Sequence, residues 1–157
     1  MSIYKVGEQM LSISVIAEII VEDKQLALST KSKQKIKDCR DYLDKKMAHS
    51  DSPIYGINTG FGSLCNHKIS NDDLGNLQTN LVLSHGCGTG DKVPDEIVKI
   101  MLLLKVQSLS YGHSGVQLET VERLIEMFNK NILPVIFQQG SLGASGDLAP
   151  LAHLALA

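Results

Sequence analysis

The sequence predicts a mainly α-helical fold interrupted by glycine-rich loops. Apolar residues recur at helical spacing in several segments, while the apolar/polar alternation of β-strands is scarce. Much of the glycine gathers in two stretches, Tyr55-Gly-Ile-Asn-Thr-Gly-Phe-Gly62 and Gly140-Ser-Leu-Gly-Ala-Ser-Gly146. Glycine enriched in this way marks backbone that turns through positive φ or packs closely, so these are loops and not helix interiors.

Taken in order, Ser12 is placed to cap a short helix bearing Val15, Ile16, Ile19 and Ile20. Ile36, Cys39, Leu43 and Met47 fall at i, i+3, i+7 and i+11 with Lys and Asp between them, predicting an amphipathic surface helix over residues 31–48. Ser70-Asn-Asp-Asp73 is a capping-box variant with Asp in place of Glu, and Leu74, Leu77, Leu81 and Val82 then line one face. After Val93, Pro94 at the first helical position and the acids Asp95 and Glu96 suit a helix N-terminus. Ile97, Ile100, Met101, Leu103, Leu104 and Val106 cover most of that helix's circumference, which predicts a central, buried element ending near Gly112. Leu118, Val121, Ile125 and Phe128 give a further amphipathic helix that stops near Asn131, ahead of Pro134. A last helix is capped by Asp147 and runs into the apolar stretch Leu-Ala-Pro-Leu-Ala-His-Leu-Ala-Leu-Ala157 with no polar terminal turn, the pattern of a chain truncated from something longer.

Composition narrows the function. With 157 residues, 43% of them hydrophobic, the chain suits a single domain. A net charge of −2 argues against electrostatic nucleic-acid binding, and aromatics at only 4% leave little for stacking platforms. Cys39, Cys65 and Cys87 are odd in number and lack CxxC spacing, as expected of reduced thiols in a cytoplasmic protein. The N-terminus carries no basic start with an apolar stretch behind it, and the run from Ile100 to Leu104 is too short to span a bilayer. His67, His85, His113 and His153 fit no ligand spacing, so no metal is expected.

The Gly140 loop admits two chemical readings. A glycine-rich turn opening a helix is a phosphate cradle in principle, but neither the Walker pattern nor GxGxxG after a strand is present, and Asp147 stands where a nucleophile elbow needs glycine. The second reading concerns Ala144-Ser145-Gly146. A tight turn that presses the Gly146 amide nitrogen onto the Ala144 carbonyl carbon closes a five-membered ring with loss of water. Loss of the Ser145 hydroxyl as a second water leaves an exocyclic methylidene. Side chains supply nucleophiles, acids and bases, so an internal electrophile fills a gap in their chemistry. The tripeptide alone is common.

Three stretches taken together decide more. Tyr55-Gly-Ile-Asn-Thr-Gly-Phe-Gly62, Asn80-Leu-Val-Leu-Ser-His85 and Gly140-Ser-Leu-Gly-Ala-Ser-Gly-Asp-Leu-Ala-Pro-Leu-Ala-His153 resemble the histidine/phenylalanine ammonia-lyase family, in its order and spacing. The resemblance covers about the N-terminal third of a family member. It implies the N-terminal part of the multi-helix aromatic amino acid lyase fold over residues 1–157. It also implies that Ala144, Ser145 and Gly146 cyclise into 4-methylideneimidazole-5-one, with no metal or nucleotide. Asp147 and Leu148 would follow the ring, where helix amides stabilise negative charge. Tyr55 would be the base that takes a substrate β-proton, and a phenol, ordinarily of pKa about 10, needs positive charge or helix dipoles nearby for that task.

Substrate choice rests on Ser84-His85. Phenylalanine lyases usually carry an apolar pair here; a histidine can hydrogen-bond an imidazole substrate or, in a tyrosine lyase, a phenol. The bland reading of His85 is a helix-end side chain satisfied by a backbone carbonyl. The wording around it resembles the histidine branch, implying L-histidine as substrate, trans-urocanate and ammonia as products, and a cytoplasmic homotetramer for the complete enzyme. The fragment alone is then expected to be inactive, since family active sites draw residues from several subunits. Two positions depart from the pattern: Tyr111 stands where Arg is common, and Gln139 where a basic residue precedes Gly140.

Overall fold

The computed structural model describes residues 2–49, 52–141, 146 and 148–156. Among them are six α-helices: α1 (Ile13–Val21), α2 (Thr30–His49), α3 (Leu74–His85), α4 (Asp95–Leu109), α5 (Leu118–Asn129) and α6 (Leu148–Ala155). Four short strands accompany them: β1 (Ile3–Val6), β2 (Gln25–Leu28), β3 (Thr89–Lys92) and β4 (Phe137–Gln139). The fold is therefore mainly helical, as the periodicity predicts. No described helix is both long and apolar enough to cross a membrane.

The chain divides into two compact units, residues 1–49 with 94–133 and residues 50–93 with 134–157. In the first, β1 and β2 pair in parallel, Ile3 opposite Gln25 and Val6 opposite Leu28, with α1 as the crossover. Tyr4, Val6, Leu26 and Leu28 point inward from this ribbon. Its core also takes Ile19 from α1, Ile36 from α2, Val98, Leu102, Leu103 and Val106 from α4, and Val121 and Phe128 from α5. The Asn129 side chain treats β2 as a neighbouring strand would. Its Oδ1 accepts from Leu26 N at 2.7 Å and its Nδ2 donates to Leu26 O at 3.0 Å.

Several helix boundaries follow the expected chemistry. Ser12 caps α1, its Oγ accepting from Val15 N at 3.3 Å. In α2, Ile36 is buried and Cys39, Leu43 and Met47 are half-buried along one face. Others differ. Pro94 is the N-cap of α4, at φ −56 and ψ 143, so Asp95 and not Pro94 is its first residue. Ile97 and Leu104 are nearly half exposed (47% and 45%), because α4 buries the stripe through Val98, Leu102 and Val106 and not its full circumference. Ahead of α3, Ser70 Oγ donates to Asp73 Oδ2 at 2.9 Å, and a 3₁₀ turn (Asn71–Asp73) takes the place of a reciprocal capping box.

The second unit holds α3, α6 and the antiparallel pair β3–β4, in which Thr89 opposes Gln139 and Lys92 opposes Phe137. Its buried residues include Ile136, Ala149, Ala152 and Leu154, together with two polar ones, Asn58 and Thr59, both fully enclosed.

Candidate active site

Tyr55, His85 and Gly146 all belong to the second unit. Tyr55 sits in the turn that precedes Asn58, with 62% of its surface exposed. That turn is closed from inside. Asn58 Oδ1 accepts from Ile54 N at 2.6 Å and Asn58 Nδ2 donates to Ser52 O at 3.3 Å, while Ile57 N donates to Ile54 O at 3.0 Å. Thr59 Oγ1 accepts from Gly56 N at 3.2 Å and donates to Gly60 O at 3.0 Å. Gly56, at φ +69, takes the left-handed conformation that lets the chain reverse, and an added Cβ there would press on the Phe61 ring at 3.0 Å. Buried amide and hydroxyl groups are tolerated because each finds partners.

His85 ends α3 and is half-buried. Its Nδ1 lies 2.7 Å from Leu81 O. A carbonyl only accepts, so Nδ1 donates in this contact, and in the neutral form of the ring Nε2 is the acceptor. The carbonyl-satisfied histidine is thus what the structure contains, and it fixes the tautomer while leaving the second ring nitrogen uncommitted to that bond. Ser84 Oγ donates to the same Leu81 O at 3.0 Å and lies 3.1 Å from Nδ1.

Phe61 joins the two predicted residues. Its ring centroid is 5.8 Å from that of Tyr55, tilted by 43°, and 5.5 Å from that of His85 in an edge-on arrangement at 75°. Such tilted and edge-to-face contacts favour a fixed ring geometry. The Tyr55 hydroxyl approaches Gly62 N, which donates to it at 3.5 Å.

Ala144, Ser145 and Asp147 lie outside the described residues; Gly146 is described at φ +66, and apart from its chain neighbours no described residue lies within 4 Å of where a Cβ would sit. The helix that follows is capped from the loop's start, Ser141 Oγ accepting from Ala149 N at 2.9 Å. His153 of α6 packs edge-on against Phe137 at 5.5 Å and its Nε2 accepts from Gly88 N at 2.7 Å, a packing role in agreement with its place on the helix. Of the two departures, Tyr111 belongs to the first unit, where its hydroxyl accepts from Gln107 Nε2 at 3.1 Å, and Gln139 ends β4. Among the described residues no group of three or more His, Cys, Asp or Glu is arranged to hold a metal ion.

The profile of the aromatic amino acid lyase family matches residues 11–157. The chain belongs to the aromatic amino acid lyases. It is 49% identical over 146 residues to a histidine ammonia-lyase of Legionella pneumophila strain Philadelphia 1, a match covering 93% of this chain and 29% of that protein. The solved histidine ammonia-lyase of Trypanosoma cruzi superposes with a TM-score of 0.83 at 34% identity, over 99% of this chain and 29% of that one. A tyrosine aminomutase of Streptomyces globisporus gives 0.85 at 29% identity, over 97% and 28% respectively. The 157 residues therefore span under a third of the length of the relatives they match.

Asn58, Thr59, Phe61 and Gln78 escape the sequence reading as contributors to this site. Asn58 and Thr59 carried a signal, being polar residues set between glycines in a motif already singled out. Gln78 carried only its spacing of seven from His85 on a predicted helix.

Proposed function

We propose that these residues are the N-terminal portion of a histidine ammonia-lyase, which deaminates L-histidine to trans-urocanate and ammonia without oxidation. The observation that carries the reading is the Tyr55–Phe61–His85 array, in a chain 49% identical to a histidine ammonia-lyase. Of the three residues that would make the ring, Gly146 is the one described, and its backbone suits that role. Gly146 adopts the left-handed backbone that favours glycine, and apart from its chain neighbours no described residue lies within 4 Å of where a Cβ would sit. Ala144, Ser145 and Gly146 would form 4-methylideneimidazole-5-one with loss of two waters, and the group supplies an electrophile that lowers the cost of removing the β-proton.

The chain's own residues do the rest. His85 Nε2 accepts the N–H of the substrate imidazole, its tautomer held by Leu81 O. Tyr55 oxygen takes the β-proton, the electron pair of that C–H bond becomes the new Cα=Cβ bond, and the C–N pair leaves with nitrogen as ammonia. The complete enzyme is a cytoplasmic homotetramer that uses neither metal nor nucleotide and binds neither nucleic acid nor membranes. It serves histidine catabolism, and the 157-residue piece alone does not turn over.

A second reading, a lyase for tyrosine, is favoured by the likeness to a tyrosine aminomutase and by the ability of a histidine to bond a phenol. Incubation of the complete enzyme with L-histidine and with L-tyrosine separates them. Urocanate from histidine, with kcat lowered about 10²- to 10⁴-fold by Tyr55→Phe, is the expected result. Turnover of tyrosine in its place overturns the first reading.

A further inference from the structure

We propose that Gln78 is a positioning residue that fixes where the Tyr55 turn sits relative to His85. The proposal rests on the reading of Tyr55 and His85 as the residues that meet substrate. Gln78 Nε2 donates to Gly56 O at 3.1 Å and to Ile57 O at 2.9 Å, the two peptide carbonyls that directly follow Tyr55. These bonds come from α3, the helix that ends in His85. Residues 78 and 85 are seven apart, two helical turns, and so lie on one face of α3. A single helix face thus carries the substrate-recognising imidazole and the clamp on the base's turn.

Shape and place are set by different side chains here. Asn58 and Thr59 close the turn upon itself through Ile54 N, Ser52 O, Gly56 N and Gly60 O. None of those bonds reaches α3. Gly56 and Ile57 present their carbonyls to α3, and the one amide nitrogen of Gln78 holds both. Gly56, at φ +69, orients the first of these peptides. Removing the donor leaves the turn internally bonded but frees its placement against His85, with Phe61 as the ring that registers the change. A misplacement of about 1 Å between reacting groups is enough to cost about 100-fold in rate, so placement is a chemical matter and not only a structural one.

The test is NMR on the complete enzyme, selectively labelled at Gln, Asn, Phe and His, whose outcome does not depend on whether histidine is turned over. In the wild type, the Gln78 side-chain amide protons should show Overhauser contacts to Gly56 and Ile57. Gln78→Met, close to isosteric but without the donor, should abolish the Phe61–His85 ring contact while leaving the Asn58 side-chain amide signals in place. Gln78→Lys, which restores a donor, should recover the ring contact. If Gln78→Met leaves Phe61 against His85, the proposal fails. If Gln78→Met loses its folded spectrum, the wild-type amide contacts decide: their presence supports the clamp and their absence overturns it. Failure of the deamination assay with these contacts intact would instead count against the reading of the chemistry.

Discussion

Asn58 is fully enclosed, yet every polar atom of its side chain is engaged by backbone within six residues of it. A buried donor or acceptor left without its partner costs about 1–3 kcal/mol. Asn58→Ala strands Ile54 N and should therefore destabilise the second unit by about that amount, read as faster amide exchange at Ile54 and Ile57. Tyr4 makes the opposite case. Its hydroxyl is buried with no hydrogen-bond partner among the described residues. Burial pushes its pKa up, and Gln9 offsets part of that push without reaching hydrogen-bond geometry. The folded chain thus holds the Tyr4 proton more tightly than the unfolded chain does. That contribution is complete below the unfolded pKa of about 10 and is lost as pH rises through the folded value. Alkaline denaturation should be less steep above about pH 10 in Tyr4→Phe, with neutral-pH stability unchanged or higher. The sequence marked the Tyr55 loop by its glycines, and only the family resemblance singled out Tyr55 and His85. It could not show that Asn58 folds inward, because that depends on which backbone groups the closed turn leaves unpaired.

At the scale of elements, the helices were legible because apolar residues recur in them at helical spacing, α5 most plainly through Val121, Leu124, Ile125 and Phe128. The strands were not. β1 and β2 are four residues each, too short for alternation to stand out, and their pairing is secured from outside by Asn129 on α5. Asn129→Ala should therefore loosen β2, seen as lost exchange protection at Leu26 N, its direct partner. The turn after α4 sets a steric condition. Gly112 has φ +72, and a Cβ there would stand 2.6 Å from Lys35 O on α2. Gly112→Ala should cost about 1–3 kcal/mol through backbone strain, measured as a lower denaturant midpoint. A substitution at Gly62, where apart from its chain neighbours no described residue lies within 4 Å of a Cβ, meets strain of φ +57 and should cost less.

For the whole molecule, the mainly helical class follows from local periodicity, but the division into two units does not. The first unit joins residues 1–49 to 94–133 across the stretch that builds the second, a non-local arrangement on which no sequence period reports. Met10, Ile13 and Val21 are each more than four-fifths exposed, and a net charge of −2 offers little repulsion between copies. The 157-residue chain should therefore self-associate as its concentration rises; a monodisperse monomer in light scattering would contradict this. The central chemical claim is that Ala144-Ser145-Gly146 makes the protein's own electrophile. The most direct test is the intact mass of the purified complete enzyme, followed by peptide mapping across residues 140–157. A deficit of two waters confined to Ala144-Ser145-Gly146 is the predicted result, and an unmodified mass in a folded protein would contradict the account.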